Sequence, residues 1–200
     1  MRSAASLLLM AGAFAVTTRA AALDVLLVDA QGKPVPDAAV LVHDGATAVP
    51  NPQASIDQID KQFVPRASIV PVGSAVNFPN KDDIRHHVYS FSPARTFELK
   101  LYSGTPASPV LFDRTGIVVL GCNIHDGMVA FVYVVDAAHA ALSAADGRVR
   151  VDTEDATTLE VWHPQLAAPV TAAVPADAAA QGLTVTLALD ARDVAPPPLD

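Results

Sequence analysis

Short apolar runs separated by turn residues follow the chain from about residue 23 almost to its end. In the segment ASIVPVGSAVNF, Val70, Val72, Val76 and Phe78 recur at every second position, which is the period of a strand. The runs GIVVLG and VAFVYVVD are rich in β-branched residues, which favour strands. No long helical pattern competes. The pattern therefore predicts an all-β chain of many short strands, either a sandwich or a barrel.

Three segments lack a clear strand pattern. Residues 46–62 are mixed and polar, and they predict a loop with at most a helical turn. The residues after Ala137 are rich in alanine and predict a connector, after which RVRVDTEDATTLEVW and LTVTLALD predict further strands. The proline-rich end, residues 191–200, predicts a disordered tail.

The first 22 residues have the pattern of a secretory signal peptide. A basic start at Arg2 precedes an apolar run from Ala4 to Val16, and small residues at 20–22 suit cleavage. The run is short for a membrane span, although a retained anchor is the alternative. The sequence thus predicts a mature protein that begins near Leu23, in an oxidising compartment such as a bacterial periplasm, with no membrane association after cleavage.

Charge narrows the classes of partner. The chain has 200 residues, with 13 basic and 21 acidic side chains and a net charge of -8. Loss of Arg2 and Arg19 with the leader would leave 11 basic residues against 21 acidic ones. Such an acidic chain is a poor candidate for binding nucleic acid or an anionic membrane surface.

The segment GCNIHDGM holds the chain's single cysteine, Cys122, together with His125 and Met128. A lone cysteine in an oxidising compartment is a buried thiol, an intermolecular partner or a metal thiolate. Thiolate and thioether ligands select copper, and imidazole binds copper as well. The pair Asp126-Gly127 offers the tight turn that would bring these ligands to one point.

A trigonal copper site with a weak axial methionine needs a second histidine. His86 and His87 lie on a predicted strand, and neighbours on a strand point to opposite faces, so only one of them suits the site. Asp82 and Asp83 are interpreted as solvated loop acids, because carboxylates suit harder ions. The other candidates for the second histidine are His43, His139 and His163.

The segment from about Phe63 to Asp136 resembles a cupredoxin. IVPVGSAVNFPNKD, HHV and GIVVLGCNIHDGM follow the cupredoxin order, and the spacing Cys-x2-His-x2-Met resembles that of amicyanin. The family pattern Asn-x-Asp before the ligand histidine lies on Asn80 and Asp82, so that His86 falls on the ligand. The resemblance implies a cupredoxin Greek-key β-sandwich and one mononuclear type 1 copper site (Cu⁺/Cu²⁺). Its metal ligands would be His86, Cys122, His125 and Met128.

Three features depart from the family pattern. His87 stands where the family has an asparagine that ties the ligand loops together, and Ala130 stands where a glycine is common. Asp126 and Gly127 stand where amicyanin has an apolar docking surface. HHVYSFSPARTFELKLY with GCNIHDGM is most similar to a group of periplasmic proteins labelled methylamine utilisation proteins.

The flanking segments resemble a second family. VLLVDAQGKPVPDAAVLV and SAADGRVRVDTEDATTLEVWHP, followed by LTVTLALD, are similar to a transthyretin-like or carboxypeptidase-regulatory-like β-sandwich. Alternatively, residues 23–45 are edge strands of the cupredoxin. The predicted order is a signal peptide (1–22), the first part of the flanking module (23–50), the cupredoxin domain (51–136), the second part of the module (137–190) and the tail (191–200).

The resemblance implies a periplasmic one-electron carrier that exchanges electrons with a redox protein partner and catalyses no reaction of its own. One alternative is a copper chaperone or storage protein. The other is a structural β module without a redox role.

Overall fold

A computed structural model describes residues 21–51, 53–153 and 156–190. Regular structure in these ranges is almost entirely strand, so the prediction of an all-β chain is confirmed. A single short helix, α1 (Ala178–Gln181), occurs in the same ranges. The strands are β1 (Ala21–Asp29), β2 (Ala39–Thr47), β3 (Ala54–Ser55), β4 (Asp57–Ile59), β5 (Gln62–Val64), β6 (Ala67–Pro71), β7 (Ser74–Asn77), β8 (His86–Ser92), β9 (Arg95–Tyr102), β10 (Val110–Phe112), β11 (Gly116–Gly121), β12 (Val129–Val135), β13 (Ala137–Leu142), β14 (Arg148–Thr153), β15 (Thr158–Trp162), β16 (Val170–Ala173) and β17 (Leu183–Leu187).

Strands from both ends of the described chain form one sandwich, named here the outer sandwich. Its sheets have the strand orders β14-β1-β17 and β13-β2-β15-β16. Apolar and polar residues alternate along β14, so that one face of the strand packs in the core. Val149 and Val151 point inward, while Arg148 and Arg150 remain exposed. The core between the two sheets is aliphatic, with Leu27, Val40 and Leu159 fully buried.

The strands between these segments form the second sandwich, named here the middle sandwich. Its sheets have the orders β10-β7-β3 and β6-β12-β11-β8-β9, and β4 and β5 form a separate hairpin. Its core contains a group of three aromatic rings. The centroids of Phe78 and Phe97 are 5.6 Å apart, and those of Phe97 and Phe112 are 6.1 Å apart.

The two sandwiches pack against each other through the sheets that contain β2 and β12. Leu41 of β2 and Phe131 and Tyr133 of β12 are buried in this contact, while their strand neighbours face the two cores. The Tyr133 hydroxyl donates to the Asp37 carbonyl at 2.5 Å. Residues 39–42 of β2 and nearly all of β12 are therefore buried on both faces, which is why these parts read as continuous apolar runs.

Two segments differ from their predictions. Residues 46–62, predicted as a loop, contain β3, β4 and the first residue of β5, and the side chain of Gln58 in β4 is fully buried. The alanine-rich segment 137–142, predicted as a connector, is strand β13, because small side chains fit where it pairs with β2 against the other sheet.

The predictions for the chain ends lie mostly outside the described residues. Strand β1 begins at Ala21, two residues before the predicted mature start. Residues 1–20 of the predicted signal peptide and the predicted tail 191–200 fall outside the described ranges. The described part of the chain has no helix with the length and apolar character needed to span a bilayer.

Candidate metal centre

Two adjacent strands bring distant parts of the chain together. His86 is the first residue of β8, and Cys122 directly follows β11. Strands β8 and β11 are antiparallel neighbours that pair at Tyr89 and Gly121. Sheet pairing therefore places His86 and Cys122 at the same end of the sheet, although they are 36 residues apart in sequence.

The side chains of His86, Cys122 and His125 converge on one point. The two Nδ1 atoms are 3.1 Å apart, and Cys122 Sγ lies 3.9 Å from Nδ1 of His86 and 3.6 Å from Nδ1 of His125. In a triangle with these sides, the point equidistant from the corners lies about 2.1 Å from each corner. First-row metals such as zinc bind imidazole nitrogen at about 2.0–2.1 Å and thiolate sulfur at about 2.3 Å. One metal ion therefore fits between the three atoms without rearrangement.

No other cluster of this kind occurs in the described residues. Among groups of at least three His, Cys, Asp or Glu side chains, only these three place their ligand atoms within 4.8 Å of one another. His43 instead contacts Glu160, and His139 contacts Asp44 at 2.6 Å.

His87 lies away from this group. Its Nε2 contacts Glu98 Oε1 at 3.0 Å, and its ring meets Tyr89 edge-on at a centroid distance of 5.8 Å. His86 and His87 thus point to opposite faces of the sheet, as neighbours on a strand do.

Burial leaves one side of the cluster near solvent. His86 is fully buried and Cys122 is 8% exposed, whereas His125 is partly exposed. Ile124, beside His125 on the loop, is 47% exposed. Of the three candidate ligands, His125 is therefore the one nearest to solvent.

Met128 returns from the loop into the core. It is 2% exposed and belongs to the same apolar cluster as Cys122. The Met128 amide donates to the His125 carbonyl at 3.3 Å, and Gly127 adopts a φ of 76°, a left-handed value that glycine tolerates best. This turn is the one that the Asp126-Gly127 pair predicted.

Asp82 orients His86. The carboxylate Oδ2 accepts a hydrogen bond from Nε2 of His86 at 2.6 Å. Because an ionised carboxylate only accepts, Nε2 carries a proton, and in a neutral ring Nδ1 then has its lone pair on the side of Cys122 and His125. A metal-binding histidine is commonly held in its tautomer by such a partner.

The same carboxylate also holds the tip of the β4–β5 hairpin. It accepts from the amides of Asp60 at 2.7 Å and Lys61 at 3.0 Å. Burial acts to raise the pKa of Asp82, but the bonds from Lys61, His86 and Asp60 outweigh it and leave the pKa below its usual value. The interpretation of Asp82 as a solvated loop acid is therefore wrong. The Asn80-x-Asp82 pattern was the available signal for its role.

Asn80 fixes the loop that carries Asp82. Its side-chain amide donates to the carbonyls of Ile84 at 2.8 Å and Tyr102 at 2.9 Å, and its Oδ1 accepts from the Asp82 amide at 3.0 Å. The Tyr102 hydroxyl in turn donates to the Phe78 carbonyl at 2.6 Å. Burial is the largest cause that raises the pKa of Tyr102, to about 12. The hydrogen bond from Gln58 acts to lower this pKa, and the nearby Cys122 acts to raise it. The phenol of Tyr102 is therefore neutral.

The surroundings of His125 favour its neutral form. Burial is the largest cause that lowers its pKa, and His86 and Lys61 lower it further against an opposing effect of Asp82. A neutral imidazole has a nitrogen lone pair available for a metal.

Comparisons with known proteins give only remote likenesses. No known protein family and no curated protein matches the chain. Among solved structures, a purple cupredoxin from Nitrosopumilus maritimus is 20% identical over 42% of this chain and 100% of that chain, with a TM-score of 0.36. A mutant of amicyanin in its Cu(I) form is 18% identical over 48% of this chain and 98% of that chain, with a TM-score of 0.38.

A copper-containing nitrite reductase from Thermus scotoductus is also similar. It is 22% identical over 56% of this chain, with a TM-score of 0.40, and the match spans only 28% of the reductase. At such identities and TM-scores, these likenesses establish neither the family nor the function of the chain.

Proposed function

We propose that the chain is a type 1 copper protein that carries one electron at a time between redox proteins. The observation that carries this proposal is the triangle of two imidazole nitrogens and one cysteine sulfur, whose centre is about 2.1 Å from each atom. One cysteine and two histidines are the in-plane ligands of such a site, and copper is the metal that prefers them together with a weak methionine.

Each of the four side chains has a role in the proposed site. His86 and His125 would hold the metal through Nδ1 and Cys122 through its sulfur, and Met128, on the same loop and in the same apolar cluster as Cys122, would be the fourth, weaker ligand. Bound copper would supply one-electron chemistry between Cu⁺ and Cu²⁺. The buried strands β11 and β12 exclude water and keep the loop in place, while Asp82 fixes the orientation of His86.

We also propose the division of the chain. Residues 51–136 form the copper domain, and residues 23–50 and 137–190 form one module that this domain interrupts. The pairing of β1 with β14 and β17, and of β2 with β13 and β15, supports this division. Residues 1–22 would direct the chain to the periplasm, where a redox protein would dock. Membership of the methylamine utilisation group is supported by sequence resemblance alone.

The optical spectrum of the copper-loaded protein tests the function. We expect one copper per chain and an intense visible band that depends on the thiolate, and that Cys122→Ser removes while the fold is kept. A colourless complex with labile Cu(I) would favour a copper chaperone instead. Absence of copper binding would leave a structural module and would overturn the proposal.

Single replacements of the two adjacent histidines provide a matched pair. We expect His86→Ala to abolish the visible band, because it removes one corner of the triangle. His87→Ala should leave the band in place, because that side chain contacts Glu98 on the opposite face. The reverse result would assign the ligand to His87 and contradict the proposed site.

A further inference from the structure

The turn of the β4–β5 hairpin has a backbone that is costly for its residues. Asp60 has a φ of 52° and Lys61 a φ of 59°, and within the described residues no other two successive non-glycine residues are both left-handed. Positive φ at both central positions is what a two-residue type I′ turn requires, and Ile59 and Gln62 pair on either side of it. Glycine adopts this conformation most easily, so other contacts must hold the turn closed.

The two strands of this hairpin form a sheet of their own. The base of the hairpin is fixed, because Gln58 is fully buried and its backbone bonds with Pro79 and Lys81. The tip of the hairpin is exposed at Asp60 and Lys61. A two-stranded hairpin has little stability of its own, so the tip depends on the contacts that its turn makes.

Asp82 supplies those contacts and links them with the metal centre. Its carboxylate accepts hydrogen bonds from the amides of Asp60 at 2.7 Å and Lys61 at 3.0 Å, and from Nε2 of His86 at 2.6 Å. An ionised carboxylate offers about four acceptor sites, so the three donors do not displace one another. One side chain therefore holds both the turn and a candidate metal ligand.

Metal binding would act on this link. A metal ion on Nδ1 of His86 draws electron density from the imidazole ring, which makes the proton on Nε2 a stronger donor to Asp82. The stronger contact would keep the carboxylate in the place where it also accepts from Asp60 and Lys61. Conversely, an open turn would leave the carboxylate free to move away from His86.

From these contacts, and resting on the proposed copper site, we infer that the β4–β5 turn is a latch coupled to metal binding. Metal bound at His86 holds the turn closed through Asp82, and the closed turn holds His86 in the orientation that the metal needs. Such coupling is reciprocal, so the metal stabilises the closed turn by the factor by which the closed turn raises metal affinity. We expect this factor to be about ten, which is typical of coupled sites.

Hydrogen exchange of single amides, followed by NMR, measures the effect of the metal on the turn. The probe is Cu(I), which is diamagnetic and leaves nearby amides observable. We expect Cu(I) to slow exchange of the Asp60 and Lys61 amides about tenfold, because it holds their acceptor in place. The amide of Gly32, which donates to Asp29 in a turn of the outer sandwich, is the control and should exchange at the same rate with and without Cu(I).

Two substitutions of Lys61 measure the effect of the turn on the metal. Lys61→Gly and Lys61→Val both remove the charge and both keep the amide, but glycine suits the left-handed backbone and a β-branched residue opposes it. In competition with a chelator, we expect Lys61→Val to bind Cu(I) about tenfold more weakly than Lys61→Gly. The amide of Asp60 should also exchange faster in Lys61→Val, with or without Cu(I).

Asp37 provides the matched control for backbone strain. It is also left-handed, with a φ of 59°, and it lies in the outer sandwich between β1 and β2. Asp37→Gly and Asp37→Val should therefore differ in stability against urea but bind Cu(I) with equal affinity.

Equal Cu(I) affinities for the two Lys61 variants would overturn the latch, and so would exchange at Asp60 and Lys61 that Cu(I) does not change. A loss of affinity in Asp37→Val as large as that in Lys61→Val would also overturn it, because a general loss of stability would then explain both.

A comparison in the metal-free protein separates this failure from failure of the copper site. Without any copper, the amides of Asp60 and Lys61 should exchange faster in Asp82→Asn than in Asp83→Asn, because Asp83 is exposed and neither amide bonds to it. Equal exchange in these two variants would refute the latch whatever the metal does. Absence of Cu(I) binding by the unsubstituted chain would instead refute the copper site, and with it the coupling, while the hold of Asp82 on the turn would still be measured.

Discussion

The two sandwiches share an architecture but differ in what they bury. The core of the outer sandwich is formed by Leu, Val and Ala side chains alone. The core of the middle sandwich contains phenylalanines together with Cys122 and Met128. Of the buried polar side chains in the described residues, the middle sandwich holds Gln58, Ser74, Asn80, His86, His87 and Ser90, whereas the outer sandwich holds Ser143 and Thr153.

The buried polar side chains of the middle sandwich position the candidate metal ligands, whereas the apolar core of the outer sandwich contributes to stability alone. Buried polar groups need hydrogen-bond partners, and in the middle sandwich several of them lead towards one place: Asn80 fixes the loop of Asp82, which orients His86. In the described part of the outer sandwich, the buried Ser143 hydroxyl accepts from the Ala38 amide and donates to the Val35 carbonyl, and the core itself is apolar.

Charge follows the same division. Residues 23–50 and 137–190 together contain 11 acidic and 3 basic side chains, whereas residues 51–136 contain 8 acidic and 7 basic ones. The outer sandwich therefore carries most of the net negative charge, and the candidate metal centre lies in the nearly neutral part.

The largest expected effect is a loss of folding stability when a cavity is made in either core. Phe112→Ala and Leu27→Ala each empty a fully buried position and should lower the free energy of unfolding by about 3–5 and about 2–5 kcal/mol. We expect Phe112→Ala also to alter the copper band, while Leu27→Ala leaves it unchanged below the unfolding transition. Urea unfolding followed by circular dichroism and by the visible band measures both. A band shift in Leu27→Ala would contradict this prediction, because it would show that a cavity in the core of the outer sandwich also disturbs the copper site.

The next effect concerns the orientation of His86. Asp82→Asn removes the charged acceptor of the Nε2 proton and should weaken copper binding by about 10–100-fold. Asp83→Asn is the matched control, because this neighbour is exposed, and it should leave the affinity unchanged. Titration against a competing chelator gives both values. Similar affinities for the two variants would remove Asp82 from the site.

The smallest effect is expected in the outer sandwich, at the contact between Asp44 and His139. Burial acts to raise the pKa of Asp44, but hydrogen bonds from the Ala46 amide and His139 outweigh it and leave the pKa below 3.8. A lowered carboxyl pKa contributes stability above the unfolded-state pKa, and this contribution is lost as the pH falls through the folded-state pKa.

Asp44→Asn should therefore cost about 1 kcal/mol at neutral pH and progressively less below about pH 4. Asp152→Asn, at an exposed position of β14, should show no such difference. Denaturant unfolding across this pH range measures the effect. A cost for Asp44→Asn that is constant with pH would contradict the assignment to an ionised carboxylate.

The strands could be predicted because alternation and β-branched runs are local properties. RVRVDT shows its two faces in six letters, and its inward valines are those that the structure buries. The hairpin of β4 and β5 could not be predicted, because Gln58 reads as a surface residue until its partners, the Phe78 carbonyl and the Tyr102 hydroxyl, are known.

The same limit applies to the candidate site. Cys122, His125 and Met128 stand out because they share one short loop. The contact of His86 with Cys122 depends on which strands are neighbours, and the sequence alone left five histidines open for that position. The relation of Asp82 to His86 also needed the fold, since four residues on an irregular loop do not define a direction.

X-ray absorption at the copper K-edge of the loaded protein tests the central claim most directly. The proposed site predicts one sulfur and two nitrogen neighbours at about 2.1 Å, with the sulfur contribution lost in Cys122→Ser. A shell of nitrogen and oxygen alone, unchanged by that substitution, would contradict the account.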